Sequence, residues 1–117
     1  MDTPRRILVV EDEPLIAMML EDFLDMLGHQ LVGTADSVDG ALAAIDAGTL
    51  DAAILDINLR GGETSWPVAD ALAARGIPFV LATGGTSDAM AGQYRDRPIL
   101  TKPFTMDGVK QALASLG

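Results

Sequence analysis

Cysteine is absent from the 117-residue chain, so a disulfide framework, a thiolate metal site and a cysteine nucleophile are all excluded, and a reducing compartment fits the composition. Basic residues are scarce: lysine and arginine number 8 against 17 aspartates and glutamates, for a formal net charge of -9. Nucleic-acid phosphates and anionic membrane surfaces repel such a chain, so we expect neither nucleic acid nor membrane among its partners. Long apolar runs are missing too. Met1 to Arg6 is short and polar, and the apolar stretch after it is broken by Glu11, Asp12 and Glu13, which is the pattern of neither a signal peptide nor a membrane span. A soluble, cytoplasmic protein is expected. Aromatic residues make up only 4%, and Trp66 and Tyr94 read as packing residues. The lone histidine, His29, follows a helical pattern and reads as a surface or capping residue rather than a catalytic group or metal ligand.

Hydrophobic residues, by contrast, make up 49% of the chain, enough for one compact core in a length too short for a second. We expect a single domain over residues 1–117, with its core over 5–116 and no output domain, so that output passes through another protein. Ile7 to Val10 is a continuous apolar run of the kind found in a parallel strand covered on both faces. Pro14 permits a helix start, Ile16, Leu20, Phe23, Leu24 and Leu27 recur at helical spacing, and Gly28 supplies a stop. The alternation then repeats. Leu31 to Ala35 reads as a strand, Ser37 as the N-cap of a helix carrying Val38, Ala41, Leu42 and Ile45 inward, and Ala52 to Leu55 as another buried strand. Pro67 can open a helix with Val68, Ala71 and Leu72 that closes at Gly76, and Phe79 to Ala82 reads as the fourth strand.

The stretch from Thr83 to Gln93 holds three glycines and little periodicity, so its helix is expected to be short or mobile. Pro98 to Leu100 reads as a last strand whose proline suggests a sheet edge, and Thr105 caps a final helix with Met106, Val109, Leu113 and Leu116 inward. Strands alternating with helices imply an α/β fold: a doubly wound, five-stranded parallel sheet of flavodoxin-like strand order 2-1-3-4-5, with helices on both faces. In such sheets the functional crevice lies at the carboxyl ends of the strands, where the strand order reverses.

Those ends hold Glu11 and Asp12 after the first strand, Asp56 after the third, Thr83 after the fourth and Lys102 after the fifth. Three ionised carboxylates in one crevice repel one another and are best tolerated with a cation among them; oxygen-only ligands favour Mg²⁺. A carboxylate beside bound Mg²⁺ can act as a nucleophile toward phosphorus, which makes Asp56 the central candidate. Lys102, as a point charge, and the Thr83 hydroxyl, as a donor, suit the oxygens of a new phosphoryl group.

The set Glu11-Asp12, Asp56, Thr83 and Lys102-Pro103-Phe104, each behind its strand, resembles the receiver domain of two-component signalling, over Arg5 to Leu116. That resemblance implies that Asp56 accepts phosphate from a histidine kinase or histidine phosphotransfer protein. It also implies that Asp12, Asp56 and the backbone carbonyl of Asn58 bind Mg²⁺, that Glu11 assists through water, and that Thr83 and Lys102 sense the phosphoryl group, with Lys102-Pro103 a cis peptide. Pro78 to Gly84, Asp56 to Leu59 and Arg97 to Leu100 further resemble the single-domain "FAT GUY" receivers of bacterial stress signalling, although Leu81 stands where that motif has Phe and Gly85-Thr86 lacks its Tyr. Ile99 replaces the aromatic that many receivers carry three positions before the lysine, and Arg60 replaces their proline four positions after the acceptor. With no ring to flip at Ile99, activation is expected to order the segment from Thr83 to Gln93.

Singly, these residues have plainer readings: Glu11 to Glu13 as acids near a helix N-terminus, Asp56 as a loop or capping aspartate, Lys102 as a surface charge. Gly84-Gly85 fits no nucleotide-binding pattern. One alternative is a pseudo-receiver, a binding module of the same fold working without phosphorylation. Another is a Mg²⁺-dependent phosphatase, which the chain departs from in having Asn58 where a second carboxylate would serve as general acid-base.

Overall fold

Ile7, Leu8, Val9 and Val10 are at most 1% exposed, as in a strand with a packed layer on each face. They form β1 (Arg6–Val10), followed by α1 (Pro14–Met26), β2 (Gln30–Ala35), α2 (Val38–Ala47), β3 (Ala52–Asp56), α3 (Trp66–Ala74), β4 (Phe79–Thr83), β5 (Ile99–Thr101) and α4 (Met106–Ala114). The structure, a computed structural model, describes residues 5–48, 50–57, 59, 64–83, 98–101 and 104–116, without the side chains of 83 and 101. The expected segment from 84 to 93 and the Lys102-Pro103 peptide lie outside these residues.

All strand pairs are parallel, and the sheet order is β2-β1-β3-β4-β5. The doubly wound arrangement expected from the sequence is therefore present, with β5 on an edge. Period-two alternation divides the strand side chains between two layers. Ile7, Val9, Ile54, Val80 and Ala82 face Leu20 and Leu24 of α1 and Val109 and Leu113 of α4. Leu8, Val10, Leu55, Phe79 and Leu81 face Ala41 and Ile45 of α2 and Val68 and Leu72 of α3, with Trp66 packed at their margin. The chain leaves β1 for β2 on one side and returns to β3 on the other, so the reversal of direction falls between β1 and β3.

Local signals explain the helix ends. Ser37 and Thr105 accept the amides of Gly40 and Gly108 at 3.1 and 3.0 Å, as N-caps do. Gly28 and Gly76 adopt φ of +85° and +70°. After α1, the Gly28 amide donates to Asp25 and the His29 amide to Leu24; after α3, Gly76 and Ile77 donate to Ala73 and Leu72. Each is a Schellman stop that a left-handed glycine makes inexpensive.

Several details depart from the sequence reading, among them the last strand, which is Ile99–Thr101 where Pro98 to Leu100 was expected. α3 opens one residue before Pro67, with Ser65 as the N-cap residue. β3 and β4 run one residue further, so that Asp56 and Thr83 close their strands instead of following them. Met106, expected inward, is 38% exposed. A helical side chain covers the turn on its N-terminal side, and at the first position of α4 there is no such turn.

The end of the sheet away from the reversal is tied by Arg6 and Asp51. The Arg6 amide donates to Asp51 Oδ2 at 2.8 Å, its guanidinium meets both carboxylate oxygens at 3.1 and 3.2 Å, and the Asp51 amide returns a bond to the Arg6 carbonyl. The side-chain hydrogen bond with Arg6 holds the Asp51 carboxyl below the usual carboxylate range. A depressed folded value means that the contribution is present above the unfolded pKa, about 3.9, and is lost as pH falls through the lower folded value. Asp51→Asn keeps an acceptor and removes the charge. Urea melts should place it below wild type at neutral pH, by a small amount that shrinks in high salt and disappears in strong acid. A deficit that persists unchanged in strong acid would contradict this account.

Candidate functional site

At the carboxyl end of β1 the Glu11 amide donates to the Ala35 carbonyl at 2.9 Å, carrying the pairing with β2 one residue past the strand. The Glu11 side chain is only 4% exposed, and its Oε2 accepts the Glu13 amide at 3.3 Å. Asp12 is half-buried. Glu13 occupies the N-cap position of α1 without a side-chain capping bond, so it stands at the helix N-terminus as an acid that does not cap it. Asp56, at the last position of β3, is 6% exposed, and the next amide, of Ile57, donates to Ala82.

Because β1 and β3 are neighbours, Glu11, Asp12 and Asp56 converge: carboxylate oxygens from all three lie within 4.8 Å of one another. Like charges this close are costly when two of them are withdrawn from water. A hard cation relieves that cost, and an all-oxygen donor set of this size fits one. A cavity of about 300 Å³ opens beside the cluster, lined by Glu11, Asp12, Pro14, Thr34 and Asp36 among others.

Thr83 closes β4, one residue past Ala82, which is the register partner of Asp56. Its backbone thus stands at the same end of the sheet. Lys102 and Asn58 lie outside the described residues. Phe104, two residues after Lys102, is buried against the α1 and α4 layer. Asp36 was not singled out in the sequence, yet it directly follows β2 as Glu11 directly follows β1. The strand-end rule finds it once β2 is included.

The sequence profile of the response regulator receiver domain matches residues 7–114. The chain belongs to that family. Receiver domains of this kind are the phosphorelay modules of two-component signalling. The fold of this one is similar to the solution structure of SdrG from Sphingomonas melonis Fr1, with a TM-score of 0.89 and 66% identity, covering 99% of this chain and 98% of that one. It is also similar to the BeF3-activated conformation of SdrG from Pseudomonas melonis Fr1, with a TM-score of 0.83 and 68% identity over 95% of this chain and 94% of the other. Among curated proteins, the transcriptional regulatory protein TcrA of Mycobacterium tuberculosis is 36% identical over 116 residues, or 95% of this chain and 45% of that protein. The receiver domain thus spans under half the length of that relative. Among the described residues, no helix is long and apolar enough to cross a membrane.

The crowding of carboxylates generates a prediction for the metal-free protein. Asp12→Asn removes one charge from the cluster and should raise stability in EDTA by about 1–3 kcal/mol, given like charges at this separation in a partly screened site. The same variant should lose the stabilisation that wild type gains on adding Mg²⁺. Paired denaturant melts with and without the ion decide both points, and a variant less stable than wild type in EDTA would refute the crowding argument.

Proposed function

We propose that this receiver domain is switched by accepting a phosphoryl group on Asp56 from a phosphohistidine of a histidine kinase or histidine phosphotransfer protein. The observation that carries this reading is the convergence of Asp56 with Glu11 and Asp12 within 4.8 Å at the β1 and β3 ends. An Asp56 carboxylate oxygen attacks phosphorus, the phosphorus–nitrogen bond of the donor breaks, and the imidazole leaves with the bonding pair. The product is an acyl phosphate on Asp56 and a neutral donor histidine once its nitrogen is protonated.

Mg²⁺ would be held by Asp12, Asp56 and the Asn58 carbonyl with Glu11 acting through water, and would supply charge neutralisation for the transferred oxygens. Burial of Glu11 and Asp56 excludes competing water and keeps the nucleophile in place against the end of the sheet. Thr83, from the end of β4, and Lys102, after β5, then hold the phosphoryl oxygens by a hydroxyl donor and a point charge. The chain is a phosphoacceptor in the cytoplasm and not an enzyme acting on small substrates. Its output is a contact with another protein, and the net charge of -9 sets it against nucleic acid and anionic membranes.

Transfer from a phosphorylated kinase should label wild type in Mg²⁺ and fail in EDTA, and Asp56→Asn should abolish labelling. Beryllium fluoride, a phosphoryl mimic, should shift the amide spectrum of wild type in Mg²⁺ and leave the Asn variant unchanged. Undiminished labelling of Asp56→Asn would remove Asp56 as the acceptor. A wild type that neither takes label nor responds to beryllium fluoride would instead be a pseudo-receiver.

A further inference from the structure

At the far end of β1 from the acidic cluster, His29 makes a contact that phosphoryl transfer does not use. Its imidazole Nδ1 accepts the backbone N–H of Arg5 at 3.0 Å, while the Arg5 carbonyl accepts the Gln30 amide at 2.9 Å. Arg5 immediately precedes β1 and Gln30 opens β2, so the ring extends the β1–β2 ladder in the place of a main-chain carbonyl. A ring nitrogen that accepts a hydrogen bond carries no proton, which assigns the neutral imidazole with its hydrogen on Nε2. The His29 backbone is itself held, since its amide donates to Leu24 in the Schellman stop of α1.

What the ring can turn toward is acidic. A cavity of about 460 Å³ is lined by Glu21, Asp22 and Asp25 of α1 together with His29, Gln30 and Leu31. Among the described residues, the charged groups on the sheet side include Arg5 itself and Arg6, the latter paired with Asp51. The chain has no other histidine, so between the ranges of its carboxylates and its amines no other side chain ordinarily changes charge.

We propose that His29 is a pH-operated latch on the entry to β1: the neutral ring holds the Arg5 amide, and the protonated ring releases it and turns to the carboxylates of Glu21, Asp22 and Asp25. Protonation occurs at Nδ1, the one nitrogen with a lone pair, and converts that acceptor into a donor that cannot face the Arg5 N–H. The three carboxylates receive the new charge in a cavity open to water. Release frays the first β1–β2 pairing, Arg6 with Gln30, and leaves Glu11, Asp12 and Asp56 at the opposite end undisturbed. The latch is independent of phosphorylation.

Nuclear magnetic resonance of the full ¹⁵N-labelled chain, titrated from about pH 8 to about pH 5, covers the range in which histidine changes charge. Near the top of that range the His29 ring should carry its proton on Nε2. The Arg5 amide resonance should move with the same midpoint as the ring, and its exchange, corrected for the intrinsic pH dependence, should become roughly fivefold less protected on the acid side, as expected for one lost hydrogen bond. His29→Asn offers an acceptor that does not titrate and should leave the protection of Arg5 flat with pH. A ring protonated on Nδ1 near pH 8, an Arg5 amide indifferent to the ring's titration, or wild-type pH dependence surviving in His29→Asn would each overturn the latch.

Discussion

Three carboxylates brought within 4.8 Å of one another repel, and the remainder of the domain is arranged so that they stay together regardless. Glu11 and Asp12 follow a strand whose last four residues are shielded on both faces, and Asp56 closes a strand that is buried along its whole length. Neither strand can retreat without exposing core, which costs about 25 cal/mol for each Å² of apolar surface returned to water. The hydrophobic layers therefore hold the crowded carboxylates together at the crevice.

Stability and chemistry are divided between the two ends of the sheet. At the carboxyl end stand acids and an open cavity. At the amino end the strands are tied by bonds that play no part in the site: Asp51 with Arg6, His29 with Arg5, and the Gly28 and Gly76 stops that return the chain after α1 and α3. Substitutions at the amino end bear on the ties of the sheet, whereas those at the other end bear on the acidic cluster. Active sites commonly show this opposition, because preorganised charge is costly in the resting state.

Membership of the receiver family says what kind of module this is, and some of its side chains differ from the common pattern. Ile99, at the position where many receivers carry an aromatic ring, is 42% exposed on the edge strand β5, and Met106 stands exposed at the start of the neighbouring helix. An aliphatic side chain has no ring to swing between a buried and an exposed rotamer. Ile99 and Met106 are thus apolar side chains exposed on this side of the domain.

The alternation of strand and helix, the caps at Ser37 and Thr105 and the glycine stops were legible in the sequence because each is a local event, decided within a few residues by periodicity, hydrogen-bonding reach or the freedom of a glycine. The candidate site was legible in part for the same reason: strands announce their ends, and Glu11, Asp12 and Asp56 stand there. Their convergence was not local. It depends on β1 lying between β2 and β3, an order expected from the alternation of strands and helices along the whole chain and not from any one window of sequence. Tertiary structure alone also brought Asp36 and Thr34 to the wall of the cavity, left Met106 in solvent and gave the His29 ring a backbone amide to hold. Each of these depends on which element closes over which, and that is settled by packing between segments far apart in the chain.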